Sequence, residues 1–298
     1  MSRKNIFKSL TALAATATLA FTLSACGGSD GPKLSEGTKD DPIRIGIVGA
    51  EDYWPVFKAE AEKEGLFVEI VDLGGYEVPN KAVSEGEIDV NQFQHLLFLA
   101  QYNLDADDNL APYAATAVYP LGIYSQKHES VDTITGGKVA VPNDATNLSR
   151  ALLVLQDAGL IELKDGGNNF STELDVLDTS KVEVVPVDAT QTVVSLPDVE
   201  ASVVNNDFLE VAGLDATDAI FSDSAESEGA RPYINIWVSR DGDKDNKTLA
   251  KLVEVYKSDV VQEGVLAASG GTASIANQTG AELEEILKEI QVGIKAAK

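Results

Sequence analysis

Short runs of β-branched residues recur between helical stretches, and that alternation constrains the fold more than any other feature of the chain. Ile43-Arg44-Ile45-Gly46-Ile47-Val48 has the pattern of a buried strand, and in the stretch after it Trp54, Phe57 and Ala61 share one helical face. Phe67 to Val71 reads as a second strand, Val78 to Glu85 as a short helix and Ile88-Asp89-Val90 as a third strand. Strands separated by helices at this spacing make βαβ units and a mostly parallel sheet. The pattern restarts near Gly136. Lys138 to Val141 is a strand that breaks at Pro142, and the next helix turns Leu148, Ala151, Leu152 and Leu155 to a core, with Gly159 at its C-terminal cap. Further strands fall at Val182 to Val187, Ala201 to Val204 and Ile234 to Val238. Two helices close the chain. The last carries an apolar stripe of Leu283, Ile286, Leu287, Ile290 and Ile294, and Thr279 and Glu282 have capping-box spacing at its start. Two α/β units, joined near 120–125 and again near 235, fit this pattern better than one continuous sheet.

The first 26 residues differ from the rest. Arg3, Lys4 and Lys8 form a basic start, Leu10 to Leu23 carries no charge, and the run ends in Leu23-Ser24-Ala25-Cys26. A basic start, a short apolar run and small residues at its end make a secretory signal, too short for a comfortable bilayer span. The tetrapeptide resembles a lipobox, and Cys26, the only cysteine, stands where lipidation requires it. Residues 27–42 (GGSDGPKLSEGTKDDP) are almost devoid of apolar side chains and read as a flexible tether. Without further cysteines there are no intrachain disulfides, and the folded part must rely on its core.

Charge is lopsided. Three of the 23 Lys and Arg and none of the 48 Asp and Glu lie in residues 1–26, so the remainder carries a net charge of −28. Nucleic-acid binding needs clustered positive charge and is excluded on that ground. Catalytic signatures are missing: the Gly-x-Ser-x-Gly spacing occurs at Gly27–Gly31, in a polar segment and not at a strand-to-helix elbow, and there is no Walker-type loop or Gly-x-Gly-x-x-Gly after a strand. His95 and His128 are the only histidines, too few for an ordinary zinc site. Asp241-Gly242-Asp243-Lys244-Asp245 has calcium-loop spacing at its start, but Asn246 and Leu252 stand where Gly and a bidentate Glu belong, so it reads as an exposed loop capping a helix. An enzyme, a metal centre and a cofactor site are all disfavoured.

Polar residues just past strand ends remain, where α/β sheets bind ligands. Phe93 and His95 fall on one side if the segment after Val90 stays extended. Asn147 and Arg150 share a face at a helix start, where free N–H groups and a guanidinium suit a carboxylate. Asn205 and Asn235 sit at or inside apolar strands and must find hydrogen bonds. Taken singly, each has an ordinary explanation: Arg150 as a surface ion pair, an Asn as a turn former, Phe93 as core, His95 as a satisfied structural histidine.

Taken together, Gln92-Phe93-Gln94-His95, Val118-Tyr119-Pro120-Leu121-Gly122-Ile123-Tyr124-Ser125, the run Val139–Leu155 and Pro232-Tyr233-Ile234-Asn235 resemble segments of the methionine-binding lipoproteins of ABC importers. The resemblance runs from about Ile43 to Gly271. It implies a two-lobed, periplasmic-binding-protein-like (type II) α/β fold that closes on one amino acid, with no bond chemistry. In chain terms it implies a signal segment 1–26 ending in lipidated Cys26, a tether 27–42, a first lobe from 43–122 and 236–298, and a second lobe 123–235. The positions matching the family's ligand contacts are Tyr76, Phe93, His95, Asn147, Arg150, Asn205 and Asn235. The Arg grips the α-carboxylate, Asn side chains hold the carboxylate and ammonium, and the aromatic residues and His surround the thioether, where each sulfur–aromatic contact is worth about 0.3–1.5 kcal/mol. The implied partners are L-methionine or a related amino acid, the permease and ATPase of the importer, and a membrane reached through the lipid, on the outer face of the cytoplasmic membrane. Two other functions stay open: the same fold holding another amino acid or a short peptide, and a surface lipoprotein with no transport role. The chain departs from the family at Leu97 and Phe98, where a Pro-Tyr pair is usual, and in its longer last helix.

Overall fold

The computed structural model of the protein describes residues 31–297. The expected signal segment and Cys26 lie outside the described residues. Among the described residues no helix is long and apolar enough to cross a membrane.

The first half opens with β1 (Ile43–Ile47), α1 (Tyr53–Lys63), β2 (Val68–Asp72), α2 (Pro79–Glu85), β3 (Val90–His95), α3 (Leu96–Asp105) and β4 (Ala111–Ala115). After β5 (Ala117–Val118) the chain crosses to the second half. That half holds β6 (Gly122–Tyr124), β7 (Lys138–Pro142), α4 (Ala145–Asp157), β8 (Glu183–Val187), α5 (Ala189–Val194), β9 (Ala201–Val204) and β10 (Phe221–Ser222). It returns as β11 (Asn235–Ser239), followed by α6 (Lys247–Tyr256), α7 (Asp259–Ala268), β12 (Ser274–Ile275) and α8 (Gly280–Ala297).

Two five-stranded sheets result, in the orders β2-β1-β3-β11-β4 and β10-β6-β9-β7-β8. Each is built on a parallel trio, with β1 between β2 and β3 and β7 between β8 and β9. Each is extended by antiparallel strands, β11 and β4 in one and β6 and β10 in the other. A small β12-β5 pair lies beside the first crossing. The parallel strands are covered on both faces, which is why β1 and β7 read as continuous apolar runs. Phe57, Ile45 and Val139 are wholly buried. Trp237 on β11 is also wholly buried, with the rings of Trp54 and Tyr256 edge-on at 6.1 and 5.4 Å. Such pairs add about 0.5–1.5 kcal/mol each beyond area burial. Trp54 is thus a core residue, its indole N–H donating to Glu51 Oε2 at 3.0 Å.

Three expectations change. First, the third strand runs on to His95 rather than ending at Val90. Its polar side chains suit a strand interior because they bond one another: Asn91 Nδ2 donates to Asn80 Oδ1 at 2.9 Å, Asn80 Nδ2 to Gln94 Oε1 at 2.8 Å, and Gln94 Nε2 to Asn91 Oδ1 at 2.8 Å. Second, the segment read as tether is packed in its later part. Leu34 and Ser35 are buried, Ser35 N–H donates to buried Asp89 at 3.1 Å, and Phe67 N–H donates to the Gly37 carbonyl at 2.9 Å. One apolar side chain and a backbone N–H bonded to a buried carboxylate hold this part of a polar segment down. Third, three helices rather than two follow β11. The Thr279–Glu282 capping box is present at the start of α8, with Thr279 N–H donating to Glu282 Oε2 at 2.8 Å.

Candidate binding cleft

Between the halves lies an apolar seam. It draws Val48 and Phe93 from the first and Tyr124, Val204 and Phe208 from the second. Beside it a narrow cavity is lined by all seven expected residues: Tyr76, Phe93, His95, Asn147, Arg150, Asn205 and Asn235. They arrive from β3, from the loop after β2, from α4, and from the ends of β9 and β11.

One wall is aromatic. Tyr76 lies 5.8 Å from Phe93, 6.0 Å from Phe98 and 5.3 Å from Phe208 between ring centroids. The His95 side chain caps α3, its Nδ1 accepting the Phe98 N–H at 3.1 Å. That bond leaves the ring proton on Nε2, which donates to Asn147 Oδ1 at 3.4 Å. Burial, aided by the nearby Arg150 charge, lowers the His95 pKa to about 3, so the ring is neutral.

Asn147 is the hub of the polar wall. Its amide N–H₂ donates to both Asp144 oxygens at 3.1 and 3.0 Å, and its Oδ1 also accepts from Asn205 Nδ2 at 2.9 Å. Asp144 is the N-cap of α4 and accepts the Asn147 backbone N–H at 3.0 Å. The Asn147 N–H is therefore not free for a ligand as the sequence suggested, because the helix's own cap takes it. Burial raises the Asp144 carboxyl despite these bonds. The Asn205 Oδ1 atom, by contrast, is buried with no partner.

Arg150 is buried and engaged. Nε donates to Asp223 Oδ2 at 2.8 Å, and Nη2 donates to Asp223 Oδ1 at 3.1 Å and to the Tyr119 carbonyl at 2.8 Å. Its guanidinium carbon stands 4.2 Å from the Tyr233 ring centroid, a cation–π contact.

Sequence reasoning missed Asp207 and Asp223. Asp207 lines the cavity and accepts the Tyr76 hydroxyl at 2.5 Å. It keeps some surface open to the cavity, yet the protein crowds it enough that desolvation raises its carboxyl. Buried Glu51 is raised too, first by desolvation and then by the Asp207 charge. Gly49 lies against the same turn: a Cβ there would fall 2.5 Å from the Asp207 carbonyl oxygen, and its φ of +81° favours glycine in any case. The polar triplet Asn205-Asn206-Asp207 after an apolar strand held a signal for Asp207. Nothing local signalled Asp223, which meets Arg150 across 73 positions of sequence.

The NlpA lipoprotein family model matches residues 43–276. A curated relative, the D-methionine-binding lipoprotein MetQ of Salmonella typhi, is 42% identical over 229 residues, covering 74% of this chain and 83% of its own. Among solved structures, the methionine-binding protein MetQ superposes with a TM-score of 0.74 at 40% identity, over 79% of this chain and 98% of that one. A nutrient-binding protein from Burkholderia cenocepacia, solved bound to methionine, gives 0.72 at 35% identity, over 78% and 99%. The two-lobed, periplasmic-binding-protein-like α/β fold implied by the sequence resemblance is the fold present.

Proposed function

Because the chain belongs to the NlpA lipoprotein family, we propose that it is a membrane-anchored substrate-binding protein that takes up methionine between its lobes and delivers it to an ABC permease. The observation that carries this reading is the cavity itself. Its lining combines an arginine and an unpartnered amide oxygen with a set of aromatic rings. A zwitterion with an apolar, polarizable tail makes use of both kinds of group.

Arg150 takes the carboxylate, Asn205 Oδ1 accepts from the ammonium, and Tyr76, Phe93, Phe98 and His95 surround the thioether. Asn147 and Asn235 complete the polar wall. Residues 43–122 and 236–298 form one lobe and 123–235 the other. The chain does no bond chemistry. It is held through lipid on Cys26 at the outer face of the cytoplasmic membrane, where the permease and its ATPase receive the ligand. Asp207 favours a neighbouring reading, the same fold holding another amino acid or a short peptide, because it puts a carboxyl at the aromatic wall.

L- or D-methionine should raise the melting temperature by mass action on the folded state. A shift with a different amino acid and none with either enantiomer at millimolar concentration would move the reading to that ligand. Arg150→Ala should stay folded and bind methionine about 2–5 kcal/mol more weakly by calorimetry. Unchanged affinity would take Arg150 out of the site.

A further inference from the structure

We propose that Asp223 is a positioning residue for ligand recognition: it holds the Arg150 guanidinium by one edge so that the other edge stands ready for a ligand carboxylate. The inference rests on the reading of the cavity as an amino-acid site. Arginine presents five N–H donors in a planar fork. Three are taken, Nε–H by Asp223 Oδ2 and the two on Nη2 by Asp223 Oδ1 and the Tyr119 carbonyl. Both N–H groups of Nη1 lack an acceptor among the described residues, and Arg150 lines the cavity.

Asp223 is itself fixed. Leu121 N–H donates to its Oδ1 at 2.8 Å, and its own N–H donates to the Leu121 carbonyl at 3.3 Å. With Tyr233 beneath the guanidinium, the plane and direction of the fork are set before any ligand arrives. A free arginine side chain would lose rotamer freedom on engaging a ligand, and a prearranged one avoids much of that loss. The pairing also compensates the charge of a guanidinium whose side chain is only 6% exposed.

The test compares L-methionine with L-methioninol, which has a hydroxyl in place of the carboxylate, on wild type and Asp223→Asn by calorimetry. Asp223→Asn should weaken methionine by about tenfold or more and leave methioninol unchanged, so that discrimination between the two shrinks. Equal discrimination in both proteins, or tighter methionine binding in the variant, overturns the proposal; the second outcome would make Asp223 a competitor for Arg150. A nuclear magnetic resonance arm needs neither ligand nor the Asp223→Asn variant. The Arg150 Nε–H signal, assigned by its loss in Arg150→Lys, should exchange slowly in wild type. Exchange as fast as in exposed arginines overturns the proposal, whereas failure of wild type to bind methionine with a slow Nε–H strikes only the choice of ligand.

Discussion

Asn147 has all four of its side-chain hydrogen-bonding positions filled by protein, whereas Asn205 has an acceptor with nothing to accept. The two residues are the same type, sit on one wall and touch, yet they do different work. Asn147 ties His95 of one half to Asp144 and Asn205 of the other, so removing it strands several buried polar groups. Asn147→Ala should cost about 4 kcal/mol in chemical denaturation as well as affinity, at roughly 1 kcal/mol for each of its four bonds. Asn205→Ala loses one protein bond, so its stability should fall by only about 1 kcal/mol while methionine binding weakens clearly. Equal stability losses in the two variants would contradict this division. Residue identity placed both asparagines in the sequence reading, with a helix start for Asn147 and an apolar strand for Asn205. Which one is saturated depends on Asp144 and His95 side-chain geometry, and no spacing rule encodes that.

At the scale of elements, α4 is where local sequence carried most. Its N-cap, apolar face and Gly159 terminus all follow from short-range rules. Asp144 does two jobs there, capping the helix and orienting the Asn147 amide. Asp144→Ala should therefore cost about 0.5–2 kcal/mol of stability, the usual range for a lost cap. It should also weaken ligand binding, which a cap acting only on the helix would not do; denaturation and calorimetry on one preparation read both. β3 was misjudged for the opposite reason. A strand end was inferred from Asn91, Gln92 and Gln94, but the Asn91 and Gln94 amides find one another and Asn80 on α2, and Gln92 finds the Tyr53 and Thr116 hydroxyls. Side chains from another element turned a polar, exit-like sequence into a buried strand. Leu34 and Ser35 teach the same lesson, since the partner that orders them, Asp89, lies 54 positions away from Ser35.

For the whole molecule, the meeting of the halves at Tyr76, Asp207 and Glu51 predicts a pH dependence. Tyr76 and Glu51 belong to the first half and Asp207 to the second, with Asp144 and Glu210 adding negative charge nearby. Both carboxyls are raised by desolvation, so the closed arrangement binds protons more tightly than an open, hydrated one. Acids with raised pKa values give a contribution that is complete below the ordinary carboxylate range and is lost as pH rises through the raised values. Ligand affinity should accordingly fall as pH rises from the ordinary carboxylate range, about 4, through about 7 for Asp207 and about 8 for Glu51. Asp207→Asn should flatten the profile, and a wild-type affinity that rises with pH would contradict the mechanism. The sequence disclosed that the chain is α/β and divided; it could not disclose which acids face each other across the division, since that depends on how two separately folded sheets meet.

The mounting of Arg150 bears on the order of events in binding. Its clamps come from the two segments where the chain passes between halves: Tyr119 in one, Asp223 and Tyr233 in the other. Points close to a pivot move least when a door swings, so on the proposed function the Arg150 grip would keep its shape whether the molecule is ajar or shut. The aromatic wall, shared between Tyr76 and Phe93 on one side and Phe208 on the other, would assemble only on shutting. Ligands would then be caught by the head and judged by the tail. Capture rates should differ little among amino acids, and selection should be written in how long each one stays.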